Sequence, residues 1–269
     1  MMKSKVIKSV FLQIVLFSFL LNIGPAYAQS AEKPPVYVLV HGAWHGGWCW
    51  QKVAAKLRAD GANVYTPTLS GLGEHKNTLN KEINLDTHIE DIVNLIEIED
   101  LQNVILVGHS YAGTVIAGVA DRIPGRLKKL IYLDAMIVES GESALSVHPE
   151  EAQEFSENAS RKDGGLSVPP FPVEAFGVTN PEDIKWVSAR LTPQPYKTFT
   201  QKLVLKNPYG NHLPLIYIAC TNPQMPVLKT FSDRVKTNKN WKHYSLNTGH
   251  DAMITAPDEL STLLESIVK

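Results

Sequence analysis

Cysteine is nearly missing from this chain: 269 residues carry two, Cys49 and Cys220. That rules out a disulfide-stapled scaffold, and no Cys/His cluster has the spacing of a zinc site. Cys49 is expected to open a helix and Cys220 to end a distant strand, so both are read as free, buried thiols. An excess of one charge is missing too, with 26 Lys+Arg against 27 Asp+Glu. Without a basic patch or a nucleic-acid signature, DNA and RNA are not expected partners. Long apolar runs are also lacking. The longest, Val10 to Leu21, is interrupted by Gln13 and Ser18 and falls short of the roughly 20 residues that span a bilayer core. What remains is globular: 44% hydrophobic and 20% charged, long enough for one large α/β domain.

The start of the chain reads as a leader. Lys3, Lys5 and Lys8 precede the short apolar run, and Pro25 is followed by Ala26-Tyr27-Ala28, a small-x-small cleavage signal. Residues 1–28 are therefore expected to be a cleaved signal peptide, and residues 29–269 a single exported domain, periplasmic or secreted, with no stable membrane insertion after cleavage. Removal of three Lys takes the formal charge from −1 to −4. Oligomeric state is not readable.

The informative stretch is Asn103-Val104-Ile105-Leu106-Val107-Gly108-His109-Ser110-Tyr111-Ala112-Gly113. A buried-strand run enters a Ser between small residues, and a helical pattern begins at once. That is a strand–turn–helix elbow with Ser110 at its tip. Such a turn exposes the hydroxyl, and the helix aims its N–H groups and positive end at the reaction site. The fifth position of G-x-S-x-G holds Ala112, which is still small.

The rest alternates as an α/β chain should. Val36 to Val40 is a strand apolar on both faces, as in a covered parallel sheet. It runs into the glycine-rich His41-Gly42-Ala43-Trp44-His45-Gly46-Gly47-Trp48, a loop able to turn backbone N–H groups inward. Trp50 to Ala59 reads as a helix ended by Gly61, and Asn63 to Thr66 as a second strand. Leu69 to Asn80 is expected to be a polar loop at the cleft rim. Thr87-x-x-Glu90 suggests a capping box for a helix whose stripe is Ile89, Ile92, Val93 and Ile96, with His88 off the stripe and exposed. Lys129 to Asp134 is a fourth strand with Asp134 at its carboxyl end, the edge where open α/β sheets place ligands. Regular alternation stops from Met136 to about His212. It resumes with a strand at Leu215 to Ala219, a helix near Leu228 to Lys236, a strand around His243 to Leu246, the turn Asn247-Thr248-Gly249-His250-Asp251, and a last helix capped near Pro257.

The run from Val38 to Trp50 and the elbow from Val107 to Gly113 resemble the α/β-hydrolase superfamily. The nearest branch is that of plant methyl-salicylate esterases and hydroxynitrile lyases with their bacterial carboxylesterase relatives. The resemblance covers essentially the whole mature chain. It implies an α/β-hydrolase fold of about six mostly parallel strands with helices on both faces, and a cap inserted after the fourth strand, at about 136–212. The activity it implies is hydrolysis of a small-molecule carboxylic ester, with no cofactor and no metal.

Catalytic residues follow in chain order. Ser110 is the expected nucleophile and His250, after the last strand, the base, a placement that also fits the family's G-x-D-H or G-H-D turn. For the acid, the plant relatives use the loop after the strand matching Leu215 to Ala219. Here that loop, Cys220 to Pro226, holds no carboxylate, and Asp233 lies too far into a helix. Asp134 ends the adjacent strand and keeps the order Ser, acid, His. Oxyanion donors are expected at the N–H of Tyr111, the residue after the nucleophile, and, by the family's loop, of Ala43. Side chains of Trp44 and Tyr111, with apolar cap residues, should form the pocket; His41 and His109 should shape the turns or line it, with His109 assigned to the substrate pocket. A cyanohydrin lyase is an alternative, opposed by Gly42 where family lyases carry Thr and by Asp251 where they carry Lys. A lactonase or amidase, or a non-catalytic binding protein on the same fold, stays open. Dehalogenase or epoxide hydrolase chemistry would need a carboxylate in place of Ser110.

Overall fold

The computed structural model describes residues 33–268; the expected leader lies outside them. Six strands form one sheet: β1 (Val36–Val40), β2 (Asn63–Tyr65), β3 (Val104–His109), β4 (Leu127–Leu133), β7 (Leu215–Cys220) and β8 (Trp241–Leu246). Their order is β2-β1-β3-β4-β7-β8, and every pairing is parallel. Two-residue strands β5 (Ser167–Val168) and β6 (Gln194–Pro195) pair separately, antiparallel.

A continuous apolar strand places successive side chains on opposite faces, so each face needs its own helical cover. Val38, Leu106, Leu130 and Tyr217 enter one core with α2 (Leu85–Ile98), α3 (Ala112–Arg122) and α7 (Pro226–Lys236). Their neighbours Leu39, Val107, Ile131 and Ile218 enter the other, with α1 (Gln51–Ala59), α8 (Ala252–Thr255) and α9 (Pro257–Val268). Full burial of each such side chain contributes about 1.5–3 kcal/mol relative to exposure. Close packing of α3 depends on its glycines. A Cβ on Gly118 would stand 2.2 Å from Ile89 Cδ1, and one on Gly113 would stand 2.1 Å from the Met136 carbonyl oxygen.

Between β4 and β7 lie α4 (Glu150–Lys162), β5, α5 (Pro181–Ser188), β6 and α6 (Lys197–Thr200). These pieces form a layer over the carboxyl edge of the sheet, contributing Val168 and Phe199 to one core and Val173 and Val187 to the other. Among the described residues no helix is long and apolar enough to cross a membrane.

Three sequence expectations are corrected. Helix α2 starts at Leu85, and its cap is Asn84, whose side chain accepts from the Thr87 N–H while the Thr87 hydroxyl accepts from the Asn84 N–H. His88 lies four residues before Ile92 and eight before Ile96, on the stripe rather than off it. It is fully buried. The segment from Leu69 to Asn80 does not form the cleft rim: Leu69 and Leu72 are core residues, residues 73–78 coil into a 3-10 turn, and none lines the cavity described below.

Candidate active site

Parallel register aligns the strand ends. His109 pairs with Leu133, Leu133 with Ile218, and Cys220 with Leu246. The residues just beyond β1, β3, β4 and β8 therefore meet at one edge.

Ser110 follows β3 with φ +55, the left-handed region that a non-glycine residue occupies only when its surroundings force it. Here they do: its N–H donates to Leu133 O at 3.2 Å, and its carbonyl accepts from Met136 N at 3.0 Å and Gly113 N at 3.1 Å. A Cβ on Gly108 would come within 2.8 Å of Ala112 O, which is why strand and helix can meet so closely. Asp134, also at positive φ (+40), is fully buried. Its Oδ2 lies 2.7 Å from His250 Nδ1, and its Oδ1 accepts from the Cys220 N–H at 3.1 Å. The His250 turn is braced by the cap: the Asp251 N–H donates to Phe176 O at 3.0 Å, and Gly249 passes so near Gly177 that a Cβ would stand 2.7 Å from its Cα.

Ser110, His250, Ala43 and Trp44 line one narrow, mainly apolar cavity of about 70 Å³, closed from the cap side by Phe171 and Phe199. Trp44 joins loop to cap. Its N–H donates to Gln194 Oε1 (3.0 Å), its indole N–H to Val168 O (3.1 Å), and its carbonyl accepts from Thr192 N (2.9 Å). Its ring meets Phe171, Phe176 and Phe199 at centroid distances of 5.2, 5.9 and 5.7 Å. Among the described residues, the N–H groups of Ala43 and Tyr111 have no protein acceptor. Two unengaged N–H groups beside Ser110 could meet a developing oxyanion there.

Four buried histidines hold this edge from beneath. His41 Nδ1 donates to Gly42 O (2.8 Å) while Nε2 accepts from the Leu69 N–H (3.0 Å). The ring is therefore neutral, and burial lowers its pKa to about 3. His45 differs. Nδ1 lies 2.7 Å from Ala43 O and Nε2 3.1 Å from Asp251 Oδ2, two acceptors, so both nitrogens carry protons. Burial opposes that charge, but the Asp251 carboxylate outweighs it and raises the His45 pKa. Burial likewise opposes the Asp251 carboxylate, and His45 outweighs it to hold its pKa low. The pair ties the glycine-rich loop after β1 to the His250 turn. His88 Nε2 donates to Ser70 O (2.9 Å), leaving Nδ1 to accept from Tyr111 OH (3.1 Å), and burial lowers its pKa to about 4.

Two pocket assignments are corrected. His109 does not line the cavity. It shares the Val107 face of β3, by the two-residue period of a strand, and lies behind His250, donating from Nε2 to His250 O at 3.0 Å with ring centroids 4.4 Å apart. The Tyr111 side chain is also absent from the lining, buried against His88 and Phe199. His109, His250 and Asp251 each offer a ligand atom within 4.8 Å of the others. One atom of each is engaged, by His250 O, Asp134 and His45 respectively, while His109 Nδ1 and Asp251 Oδ1 have no hydrogen-bond partner among the described residues. Sequence reasoning missed two polar cavity residues from the cap, His148 and Ser156, and the apolar Met225, Val227 and Leu228 beyond β7. None belongs to a motif.

Residues 37–263 match the model of the Alpha/beta hydrolase family, and the chain belongs to that family. Within it, the chain is 37% identical over 240 residues to a carbendazim hydrolyzing esterase of Nocardioides sp. (strain SG-4G), covering 86% of this chain and 98% of that one. It is 27% identical over 253 residues to Methylesterase 10 of Arabidopsis thaliana (86% and 90%). An extracellular α/β-hydrolase from a Paenibacillus species superposes with a TM-score of 0.76 at 25% identity, covering 87% and 98%. This chain is an esterase-type hydrolase.

Proposed function

We propose that the protein cleaves small, uncharged carboxylic esters through an acyl-enzyme, with Ser110 as nucleophile, His250 as base and Asp134 as the acid that orients it. The observation that carries this reading is the 2.7 Å contact of His250 Nδ1 with buried Asp134, on a histidine that lines the same cavity as Ser110. With Nδ1–H held by the carboxylate, Nε2 is left unprotonated and able to accept the Ser110 proton. The hydroxyl oxygen attacks the ester carbonyl, and the resulting oxyanion is met by the N–H groups of Ala43 and Tyr111. Collapse breaks the bond to the alkoxy oxygen, which leaves with the proton carried by His250. Water enters, gives a proton to His250 and attacks the acyl-Ser110 carbon; the bond to Ser110 Oγ then breaks, Oγ takes the proton back from His250, and the acid is released. The relatives named as methylesterases support a small alcohol portion, as does the narrowness of the cavity.

Cyanohydrin lysis fits less well. A Cβ at position 42 would stand 2.9 Å from Ser110 Cβ, so the Thr that family lyases carry there has no room. Asp251, where they carry Lys, is committed to His45. The leader-like start supports export of residues 29–269 to the periplasm or medium, and exported protein still beginning at Met1 would refute it. The mechanism is tested with a fluorophosphonate ester probe and Ser110→Ala. The variant should fold normally, lose turnover of aryl and methyl esters to background, and escape labelling. Labelling of the wild type anywhere other than Ser110 would refute the assignment.

A further inference from the structure

Two peptide planes meet at Ala43, and each is pinned by a buried imidazole. His41 Nδ1 donates to Gly42 O at 2.8 Å. A trans peptide points its N–H away from its C=O, so the Ala43 N–H is turned to the side opposite His41. In the next peptide, Ala43 O accepts from His45 Nδ1 at 2.7 Å, and the Trp44 N–H donates to Gln194 Oε1 at 3.0 Å. The chain reverses this tightly with Trp44 at φ +65. His45 has a second anchor: its Nε2 donates to Asp251 Oδ2 at 3.1 Å, and neither side chain is more than 2% exposed. Asp251 is the residue after His250, and its backbone is fixed. Its N–H donates to Phe176 O, and its carbonyl accepts from Ile254 N at 2.9 Å and Thr255 N at 3.0 Å. One buried ion pair therefore runs from the Ala43 carbonyl to the turn that carries His250. Stability is a poor reason for it, because apolar side chains of similar volume in place of a buried ion pair are often as stable or more so. The His45 ring already lies between Trp48, stacked at 5.3 Å, and Phe176 at 5.6 Å, surroundings that suit an apolar side chain.

We propose that His45 and Asp251 are positioning residues for acyl transfer, holding the Ala43 N–H in register with His250 so that oxyanion and proton are received together. Neither side chain lines the cavity, whereas Ala43 and His250 both do, so the pair acts through them. The charge on the oxyanion develops only as the ester carbonyl is attacked. A displaced donor therefore slows the chemical step and leaves binding of the intact ester unchanged. This inference rests on the acyl-enzyme reading above and goes beyond it in assigning the residues that set the distance between oxyanion donor and base.

The test measures kcat and KM for an aryl acetate, with kcat expressed per Ser110 labelled by a fluorophosphonate so that misfolded protein does not count. Alongside it runs the inhibition constant of an aryl trifluoromethyl ketone, whose adduct with Ser110 carries the oxyanion. Asp251→Ala should lower kcat about 10- to 100-fold, less than the 10²- to 10³-fold of a donor removed outright. KM should stay within about twofold, and the ketone should weaken by the factor lost in kcat. Asp251→Asn should recover most of the loss. Its NH2 can donate to His45 Nε2, the other oxygen of Asp251 has no hydrogen-bond partner to lose, and a neutral His45 still donates from Nδ1 to Ala43 O. The double variant His45→Phe/Asp251→Leu leaves no charge buried, so it should melt close to wild type and remain slow. A double variant with wild-type kcat overturns the proposal. So does an Asp251→Ala enzyme whose loss lies in KM, or an Asp251→Asn enzyme no faster than Asp251→Ala. Failure of the acyl-enzyme reading shows separately, as wild-type Ser110 that stays unlabelled.

Discussion

Replacing Asp134 by Asn tests the acid assignment, and the surroundings of that carboxylate dictate the result. Asp134 meets two donors, Nδ1–H of His250 through Oδ2 and the Cys220 N–H through Oδ1. An amide has one oxygen and one NH2, so it can satisfy only one of them. The backbone N–H of Cys220, the last residue of β7, cannot change its role, and leaving it facing an NH2 would cost about 1–3 kcal/mol. The amide oxygen should therefore turn to Cys220 and the NH2 to His250. Facing a donor, Nδ1 becomes an acceptor and the proton moves to Nε2, the atom that must receive the Ser110 proton. Serine hydrolases with this wrong tautomer lose about four orders of magnitude in turnover, equivalent to about 5.4 kcal/mol of barrier. Even the flipped amide would lack the charge that stabilises imidazolium. Turnover of a chromogenic acetate ester by Asp134→Asn should fall about 10⁴-fold, with little change in thermal midpoint. Asp233→Asn is the control. That side chain is an exposed helical residue paired with Lys229, and the variant should keep wild-type turnover. An Asp134→Asn enzyme within tenfold of wild type would refute the assignment.

Acid should unfold this protein earlier than its carboxylates alone require. His41 and His88 are held neutral with pKa values lowered to about 3 and about 4, whereas unfolded histidine titrates near 6.5. The unfolded state therefore binds more protons below about pH 6.5, and stability falls with pH from there until the folded values are reached. Two such groups remove about 5 kcal/mol between pH 6.5 and 4.5, at about 1.36 kcal/mol per unit each. Urea titrations over that interval should give this loss, and His88→Gln should lower the slope by about one proton; an unchanged slope contradicts the burial argument. The His45 pair works in the opposite sense. Its raised pKa contributes stability that is complete below about pH 6.5 and lost as pH rises through the folded value. Gly113→Ala should cost 3 kcal/mol or more, since its Cβ would meet the Met136 backbone oxygen at 2.1 Å. A thermal midpoint within a degree of wild type would show that the helix and the 134–136 turn can separate.

Much of the site was legible because its parts are tied to strand ends. A both-faces-apolar run fixes a buried parallel strand, and whatever follows it lies at the carboxyl edge. Ser110, Asp134 and His250 could therefore be placed on one edge from sequence alone. The misplacements share a cause, which is phase. Counting the α2 stripe from Ile89 left out His88, which stands four and eight residues before Ile92 and Ile96, and ignoring the two-residue alternation of β3 put His109 in the cavity when its face belongs to the α1–α9 side. The cap was opaque for a different reason. Its strands have two residues each, and the buried residues of its longest helix, α4, are Ser156 and Ser160, so His148 and Ser156 carry no apolar signal.

With Asp134 proposed as the acid, the segment after β7 is freed of the duty that the resemblance assigns to the matching loop of the plant relatives. Here the same stretch runs Cys220-Thr221-Asn222-Pro223-Gln224-Met225, and Met225, with Val227 and Leu228 just beyond it, faces the cavity instead. On the proposed mechanism, the wall that selects and the contact that reacts lie on separate parts of the chain, so substitutions at Met225 or Val227 can reshape the cavity without moving the Asp134–His250 pair.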